Sequence, residues 1–413
     1  MNRKQLILIL LALVILGGAG LLMMNSKQTT WSEPQGKMGQ KLFPNFPVND
    51  VALIDIKTTT DLHLETKDGK WCVRERSDYP ANFSQIHDLL VKLLDLKISQ
   101  SEPIAPSQLG RMQLEPPGKG TNSATEVGFF DKQNKPLQSV LLGKTHLQQS
   151  SRPGPFGGGE FPDGRYVLLP GDTANLLLVS DPMESISTSP ESWLDRDFFK
   201  VEKLQSATLV STNATNSWKL SRESESAPWL LADTNAGEIL DSNKVSSLSG
   251  TLSYTSFVDV ASNNSPAATG LDKPLAVTLT TFDHFTYNLK VGGKTPENNF
   301  YLTVAASADF PTQRTAGKDE KLEEKTKLDK EFQDKTKELQ DKLAKEKSYG
   351  QWVYIVSSST VDPLIRSRSE LMAEKKDEKP AEGSNTETNA MPKPAGDLPV
   401  IPELPPATNS VPK

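Results

Sequence analysis

The chain has 413 residues, a formal net charge of −6 and apolar residues at 36% of its positions. Its length allows two domains with separate cores, and its small net charge, with no basic domain, excludes nucleic acid as an expected partner. The single cysteine, Cys72, excludes an intramolecular disulfide. Because it follows Trp71 on a strand-like segment, we expect Cys72 to be a small core residue.

The first element in chain order is an apolar segment at the N-terminus. Residues 1–5 include Arg3 and Lys4, and residues 6–24 carry no charge. Nineteen helical residues measure about 29 Å, close to the hydrocarbon thickness of a bilayer. We therefore predict a transmembrane helix over 6–24 that contacts the lipid bilayer. Basic residues stay on the cytoplasmic side, so residues 1–5 are expected inside. A cleaved signal peptide is the open alternative.

A first α+β domain is predicted over 48–199, after a polar linker at 25–47. Asp68-Gly69 is expected to form a hairpin turn between two short strands, and Ser84 to cap a helix. The helix is indicated by apolar residues at 3, 4 and 7 spacing: Ile86, Leu89, Leu90, Leu93 and Leu94. The predicted strands are 51–56, 62–64, 71–73, 126–130, 138–142, 165–169 and 175–179.

A second α+β domain, over 200–370, repeats this order of elements. Its predicted helix is capped by Ser242 and carries Val245, Leu248 and Leu252. Meandering strands with one or two helices in each domain indicate antiparallel sheets. The predicted strands are 207–210, 218–220, 229–231, 277–282, 287–291, 300–304 and 352–356.

The second domain also repeats the sequence of the first. The matching segments are roughly 150 to 160 residues apart, which indicates duplication of a whole domain rather than a solenoid. The pairs are Gly143-Lys144-Thr145 with Gly293-Lys294-Thr295, Phe129-Phe130-Asp131 with Thr281-Phe282-Asp283, Leu114-Glu115 with Leu271-Asp272, and Trp71 with Trp229.

The repeated Gly-Lys-Thr suggests a phosphate-binding loop, but the wider motif is missing. Such a loop needs another glycine five residues earlier, to wrap backbone N–H groups around the phosphate. Gln138 and Asn288 occupy those positions. We therefore expect no nucleotide binding. The sequence instead predicts a tight turn in each domain, with the glycine at a positive φ.

The remaining candidate chemistry is sparse. The four histidines, His63, His87, His146 and His284, have no metal-ligand spacing, and a Gly-x-Ser-x-Gly motif is absent from the sequence. The charged run Asp195-Arg196-Asp197 is expected to be a solvated loop or an ion pair that closes the domain. The sequence therefore predicts no enzyme, and no catalytic, cofactor-binding or metal-binding residue.

Both domains carry a variable excursion that we expect at the same point, after Gly-Lys-Thr. The first is 148–164, with Phe156 and Phe161 flanking three glycines. The second is about 305–350 and contains a charged helical insertion, 313–348, as one helix or a hairpin. Either a surface helix or a coiled-coil-like arm is possible, and the excursions are the expected contact surfaces. Expected helix features are the pairs Glu323→Lys327, Glu331→Lys335 and Glu338→Lys342 and the apolar stripe Leu328, Phe332, Leu339 and Leu343.

The C-terminal segment, residues 371–413, has no aromatic residue and many prolines. A segment of this composition cannot bury enough apolar surface to fold. The sequence therefore predicts a disordered, proline-rich tail.

Four motifs occur in a characteristic order: the strand 51–56, Asp68-Gly69-Lys70-Trp71, Gly270-Leu271-Asp272-Lys273-Pro274 and Val361-Asp362-Pro363-Leu364. Together with the N-terminal apolar segment, they make the chain resemble the domain-of-unknown-function family 4340 (DUF 4340) over roughly residues 48–370, apart from the insertion. The first copy departs from the pattern at residues 112–116. The resemblance implies a membrane-anchored protein without established activity, often encoded beside gliding-type ABC transport systems.

These observations predict a single-pass protein of the bacterial cytoplasmic (inner) membrane, with both domains outside the cytoplasm. The expected function is non-catalytic: a scaffold or accessory subunit of an ABC-type transport complex, with transporter subunits as membrane protein partners. A periplasmic glycan- or peptide-binding module is the alternative. A hydrolase whose site is assembled from residues distant in sequence is a third hypothesis.

Overall fold

The computed structural model describes residues 37–149, 159–235, 238–317 and 320–373. These residues form two large antiparallel sheets with few helices, which confirms the predicted antiparallel α+β class and the two sheet domains. The segments 1–5 and 6–24 lie outside the described residues. Among the residues that are described, no helix combines the length and apolar character needed to cross a membrane.

The first sheet has nine strands in the order β4-β3-β2-β1-β6-β7-β8-β9-β5. Helix α1, Phe83–Asp95, lies between β4 and β5 in the sequence. The strands are β1 Leu53–Lys57, β2 Asp61–Lys67, β3 Lys70–Val73, β4 Tyr79–Pro80, β5 Ile98–Pro103, β6 Thr125–Phe130, β7 Pro136–Gln149, β8 Glu160–Leu169 and β9 Asp172–Val179.

The second sheet has eight strands in the order β12-β11-β10-β14-β15-β16-β17-β13. Its strands are β10 Leu204–Val210, β11 Trp218–Ser221, β12 Leu230–Leu231, β13 Asp259–Val260, β14 Leu275–Thr281, β15 Phe285–Lys294, β16 Phe300–Ala308 and β17 Tyr354–Val356. The accompanying helices are α2 Ser242–Ser253, α3 Pro266–Thr269, α4 Leu322–Ser348 and α5 Ser358–Ile365.

The two sheets have the same topology. Without β4, every strand of the first sheet has a counterpart at the same place in the second. The residue registers also agree: Ile56 pairs with Leu62 in the first sheet, as Leu209 pairs with Trp218 in the second. The repeat detected in the sequence therefore extends to the strand order, and we refer to the two halves as the first and second repeat.

The first helix of each repeat packs an apolar face against its sheet. Helix α1 buries Ile86, Leu89, Leu90 and Leu93, while Leu94 is half-buried. The predicted caps are each displaced. Asn82 caps α1 by accepting a hydrogen bond from the Gln85 N–H, so Ser84 lies inside the first turn. Asp241, not Ser242, caps α2.

The Gly-Lys-Thr segments are not turns, which corrects the sequence prediction. Gly143 and Gly293 lie within β7 and β15, and neither is among the residues with positive φ. A Cβ on Gly143 would overlap the carbonyl oxygen of Met112, and a Cβ on Gly292 would overlap that of Thr269. Glycine is needed there because the preceding turn crosses close to the strand. The structural counterpart of Gly143 is therefore Gly292.

The two excursions arise at different connections, contrary to the prediction. The first joins β7 to β8, and its tip, residues 150–158, lies outside the described residues. The second joins β16 to β17, which corresponds to the tight β8–β9 turn of the first repeat. Successive connections in an antiparallel meander lie at opposite ends of the strands. The excursions therefore leave opposite ends of the repeated fold.

The charged insertion contains one continuous helix. Helix α4 has 27 residues and measures about 40 Å. Among the described residues, the ion pairs between two residues of this helix differ from the three predicted ones. Lys327 pairs with Glu331 at 3.7 Å and Lys335 with Glu338 at 3.9 Å.

Ordered structure extends beyond the predicted domain limits at both ends. Leu42, Phe43 and Phe46, in the predicted linker 25–47, are buried in the core. At the other end, Leu371 is buried and Met372 pairs with Leu240, although both belong to the predicted tail 371–413. Neither segment shows a helical or strand period in its sequence. Residues 374–413 lie outside the described residues.

Candidate functional site

Strands β1 to β3 of the first repeat carry ionisable side chains on the side of the sheet that faces away from the main core. Ile54 and Ile56 are fully buried in that core. Strand side chains alternate between faces, so Asp55 points the other way. We define the charged face as Asp55, Lys57, His63, Glu65, Lys67, Cys72, Arg74, Glu75 and Asp78.

The centre of the charged face is an imidazole held between two carboxylates. Glu75 follows β3 in a short 3-10 turn and accepts from His63 twice: its Oε2 lies 3.0 Å from the His63 backbone nitrogen and its Oε1 lies 2.6 Å from Nδ1. The other ring nitrogen, Nε2, is 3.8 Å from Oδ1 of Asp55. Asp55 is only 7% exposed and pairs through Oδ2 with Lys57 at 2.8 Å.

A second carboxylate cluster on the same face is already neutralised. Glu65, Cys72 and Asp78 place three potential ligand atoms within 4.8 Å of one another. The ammonium of Lys67 lies 2.7 Å from both Glu65 and Asp78. Hydrogen bonding from Arg74 also lowers the pKa of Glu65. These cations occupy the position that a metal ion would take.

Cys72 itself is an unreactive thiol. Burial raises its pKa to about 11, so the thiolate form is scarce near neutral pH. The Sγ donates to the carbonyl oxygen of Glu65 at 3.3 Å. This environment agrees with the expected role of a small buried residue.

The second repeat lacks the charged face. The strand registers place Thr208 at the position of Asp55 and Lys219 at that of His63. By the same registers, Ser221 corresponds to Glu65 and Leu230 to Cys72. Leu230 is 56% exposed. The scaffold is therefore duplicated, whereas the ionisable network belongs to the first repeat.

An open polar groove of about 660 Å³ adjoins this face, where β1 and β2 meet the β6–β7 turn. Its walls contain residues 51–53 and several polar residues. Such a lining suits a polar ligand better than an apolar one. The polar lining residues are Asn49, Glu65, Thr66, Asp68, Asp131, Lys132 and Asn134.

The two repeats meet through a buried aromatic cluster. Tyr79 of the first repeat contacts the rings of Phe257, Trp352 and Tyr354 of the second, with ring centroids 4.8 to 5.9 Å apart. Burial raises the pKa of Tyr79 and of Tyr354. These groups therefore remain neutral and contribute apolar area together with edge-to-face ring contacts.

A bidentate ion pair borders this cluster. Arg76 donates to both carboxylate oxygens of Asp259, at 2.7 and 2.8 Å. The side chains are 16% and 19% exposed, respectively. Paired guanidinium and carboxylate groups fix relative orientation as well as distance. The Trp352 indole also donates to the Ser77 carbonyl at 3.0 Å.

The charged run Asp195-Arg196-Asp197 lies in the segment that joins the repeats, where it makes closing contacts. Arg196 donates to the carbonyls of Phe257 and Val258, at 3.2 and 2.9 Å. The Asp195 N–H donates to the Pro80 carbonyl at 2.9 Å. Of the two readings of this run, the structure therefore favours domain closure, although most of the bonds go to backbone groups.

A family model described as "Domain of unknown function (DUF4340)" matches residues 71–274. This region belongs to the DUF4340 family. The match starts at Trp71 of the β2–β3 hairpin and ends at Pro274, just before β14. It thus includes most of the first repeat, the junction and the beginning of the second repeat. No curated protein and no solved structure matches the chain.

The Tyr79–Phe257 ring contact and the Arg76–Asp259 ion pair lie within the DUF4340 match, whereas Trp352 and Tyr354 lie beyond it. Helix α4 lies beyond it and is docked by its C-terminal turns. Leu339 and Leu343 pack against the core. Lys345 pairs with Asp197 at 2.6 Å.

Glu346 is the buried acidic residue of this docked end. Its side chain is 5% exposed in total, and burial raises its pKa to about 7. Nearby groups are Tyr287 of β15 and the backbone of Lys200, with Lys342 and Lys345 on the helix itself. The opposite end of α4 is tied by Arg314, which pairs with Glu320 and Asp329. These contacts favour a surface helix over a free arm.

The histidines have four different settings. His87 is exposed beside Asp88, His146 pairs with Asp163 at 2.5 Å, and His284 occupies a left-handed turn position. Sequence reasoning missed the setting of His63. Its signal was the placement of Asp55 and His63 in two successive predicted strands, equally far from the centre of the segment that joins them.

Proposed function

We propose that this DUF4340 protein is a non-catalytic, membrane-anchored envelope protein that serves as a scaffold or accessory subunit of an ABC-type transport complex. Its domains would lie outside the cytoplasm of a bacterial cell, anchored in the inner membrane by residues 6–24. The main support is the junction between the repeats. Buried ring contacts and the Arg76–Asp259 pair fix two broad sheets as one surface, which suits assembly with other proteins.

The state of the charged groups is consistent with this proposal. Lys67 and Arg74 neutralise Glu65, and Lys57 pairs with Asp55. Structural ion pairs of this kind hold a surface in place without requiring a reaction.

Co-purification tests the proposal. The full-length tagged protein is cross-linked in intact cells, solubilised gently and isolated. Recovery of transporter subunits is the expected result, and recovery of the protein alone would contradict the proposal. Val210 and Leu230 lie on the same face of the second sheet and are 58% and 56% exposed. Changing both to serine should reduce recovery if that face binds the partner. Leu322→Ser, at an 80% exposed residue at the start of α4, is the matched control.

A periplasmic glycan- or peptide-binding module is the second candidate, and the polar groove favours it. Full-length protein in detergent would be incubated with purified cell-wall material. Retention that is lost in Asp68→Asn and Lys132→Gln, but kept in Lys70→Gln, would support binding in the groove. Lys70 is the control because it is an exposed neighbour outside the lining set.

A further inference from the structure

Two electron-pair donors lie close together on the charged face, Asp55 Oδ1 and His63 Nε2. Glu75 accepts from both the backbone N–H and the Nδ1–H of His63. A neutral imidazole that donates through Nδ1 carries its lone pair on Nε2. Nε2 lies 3.8 Å from Asp55 Oδ1, which has no hydrogen-bond donor among the described residues. A cation between the two atoms would satisfy both.

The separation of the two atoms distinguishes between kinds of cation. A charge-assisted hydrogen bond between them would bring nitrogen and oxygen to about 2.7–2.9 Å. The observed distance is 3.8 Å. Zinc bonds of about 2.0–2.1 Å to nitrogen and 2.0–2.2 Å to oxygen can span this gap at a wide angle. The separation of 3.8 Å therefore fits a metal ion bound to both atoms better than a hydrogen bond between them.

We propose that Asp55 Oδ1 and His63 Nε2 bind a divalent transition-metal ion such as Zn²⁺. Imidazole and carboxylate together suit this class of metal better than Mg²⁺ or Ca²⁺. Glu75 orients the imidazole through Nδ1, as carboxylates commonly do behind metal-bound histidines. The His63 side chain is 21% exposed, so water can complete the coordination. This site goes beyond the proposed scaffold function and does not depend on it.

The surroundings favour a cation but include one competitor. The strand registers put Asp61 and Glu126 beside Lys57. These carboxylates, with Asp55 and Glu75, give the region an excess of negative charge. Lys57 partly offsets that charge, and its ammonium pairs with the other oxygen of Asp55. Removing the Lys57 charge should therefore strengthen metal binding.

Zn²⁺ titration of the full-length, detergent-solubilised protein, followed by calorimetry, tests the site. We expect one equivalent to bind, with loss of that binding in His63→Gln and Asp55→Asn. Glu75→Gln should weaken binding by roughly 10- to 100-fold, and Lys57→Met should tighten it. Cys72→Ser removes the single thiol and His146→Gln removes another histidine that pairs with a carboxylate. Both variants should bind Zn²⁺ like the wild type. Unchanged binding in folded His63→Gln would overturn the proposal.

A measurement on the wild type covers the case in which a variant does not fold. In ¹⁵N-resolved spectra, Zn²⁺ should shift the Nε2 resonance of one histidine. The Lys57→Met variant keeps both ligands, so it should show the same Zn²⁺-dependent shift of Nε2. Absence of the shift in that variant would contradict the proposal. Assignment to His63 supports the site. Assignment to His87, His146 or His284, or no response from any histidine, overturns it.

Discussion

Strands β1 to β3 and strands β10 to β12 have the same pairing but opposite surface chemistry. Where the first repeat has Asp55 and His63, the second has Thr208 and Lys219. The buried alternate positions remain apolar in both, for example Leu64 and Leu220. Packing thus constrains one face of the duplicated sheet, while the other face is free to acquire a distinct role. A substitution at a position that the repeats share should therefore have the same kind of effect in either repeat. A substitution at a position where they differ should have an effect in one repeat only.

The largest expected effect is at the glycine that both repeats share. Gly292→Ala should lower the free energy of unfolding by about 3 kcal/mol, because the new Cβ would overlap the Thr269 carbonyl. The neighbouring Gly293→Ala is the control. Its Cβ would lie 3.7 Å from the same oxygen, so we expect no loss and a gain of up to about 1 kcal/mol. Equal losses in urea denaturation would show that close approach is not the reason for glycine.

A pH effect should arise in the second repeat, which alone carries α4. The folded protein raises the pKa of Glu346 from 4.5 to about 7, so it binds an extra proton between these values. Its contribution to stability is therefore full below pH 4.5 and decreases as the pH rises through 7. We expect this residue to change the free energy of unfolding by about 2 to 3 kcal/mol across that window.

The Glu346 prediction is checked by unfolding Glu346→Gln and the wild type at several pH values. The free energy of unfolding of Glu346→Gln should not show the decrease that Glu346 causes between pH 4.5 and 7 in the wild type. Glu338→Gln is the control, because the Glu338 side chain is 74% exposed. Parallel profiles for Glu346→Gln and the wild type would refute the assignment.

The Arg76–Asp259 ion pair between the repeats should contribute to stability by an intermediate amount, and substitutions of its two residues should be energetically coupled. Arg76→Met leaves Asp259 without its bidentate partner and should destabilise the protein by about 2 kcal/mol, less than a fully buried pair would. Asp259→Asn should have a similar effect. In the double variant the two losses should not add, since both remove one interaction. Additive losses would indicate that the pair does not join the repeats energetically.

The smallest effect expected is a gain in stability at a position where the repeats differ. Gly270 ends α3 with φ 70°, and the corresponding Gln113 has φ 53°. Because glycine adopts this conformation without strain, Gln113→Gly should stabilise the protein by about 0.5 to 1 kcal/mol. Ser107→Gly, at an exposed residue within the preceding turn, is the control. A loss of stability in Gln113→Gly would contradict the correspondence of these positions.

The fold followed from the sequence where local patterns were strong. The period of helix α1 and the Asp68-Gly69 turn were predicted correctly, as were the strands at 277–282 and 287–291, which correspond to β14 and β15. The prediction failed where a contact is distant in sequence. Gly143 was assigned to a turn because its reason for being glycine, the Met112 carbonyl, is 31 residues away.

The candidate site was harder to predict than the fold. The cluster around His63 needs the β1–β2 register together with the fold-back of Glu75 after β3. Neither produces a short motif. Phe43 and Phe46 were likewise assigned to a linker because their apolar period is irregular, and only the tertiary fold places them in the core.

The central claim is that the repeats share a scaffold while the first alone carries a cation-binding face. The most direct test gives the first repeat the residues of the second. Zn²⁺ titration is compared between the wild type and the Asp55→Thr, His63→Lys double variant, with folding checked by circular dichroism. We expect the wild type to bind one equivalent and the folded double variant to bind none at this site. Undiminished binding by the double variant would contradict the claim.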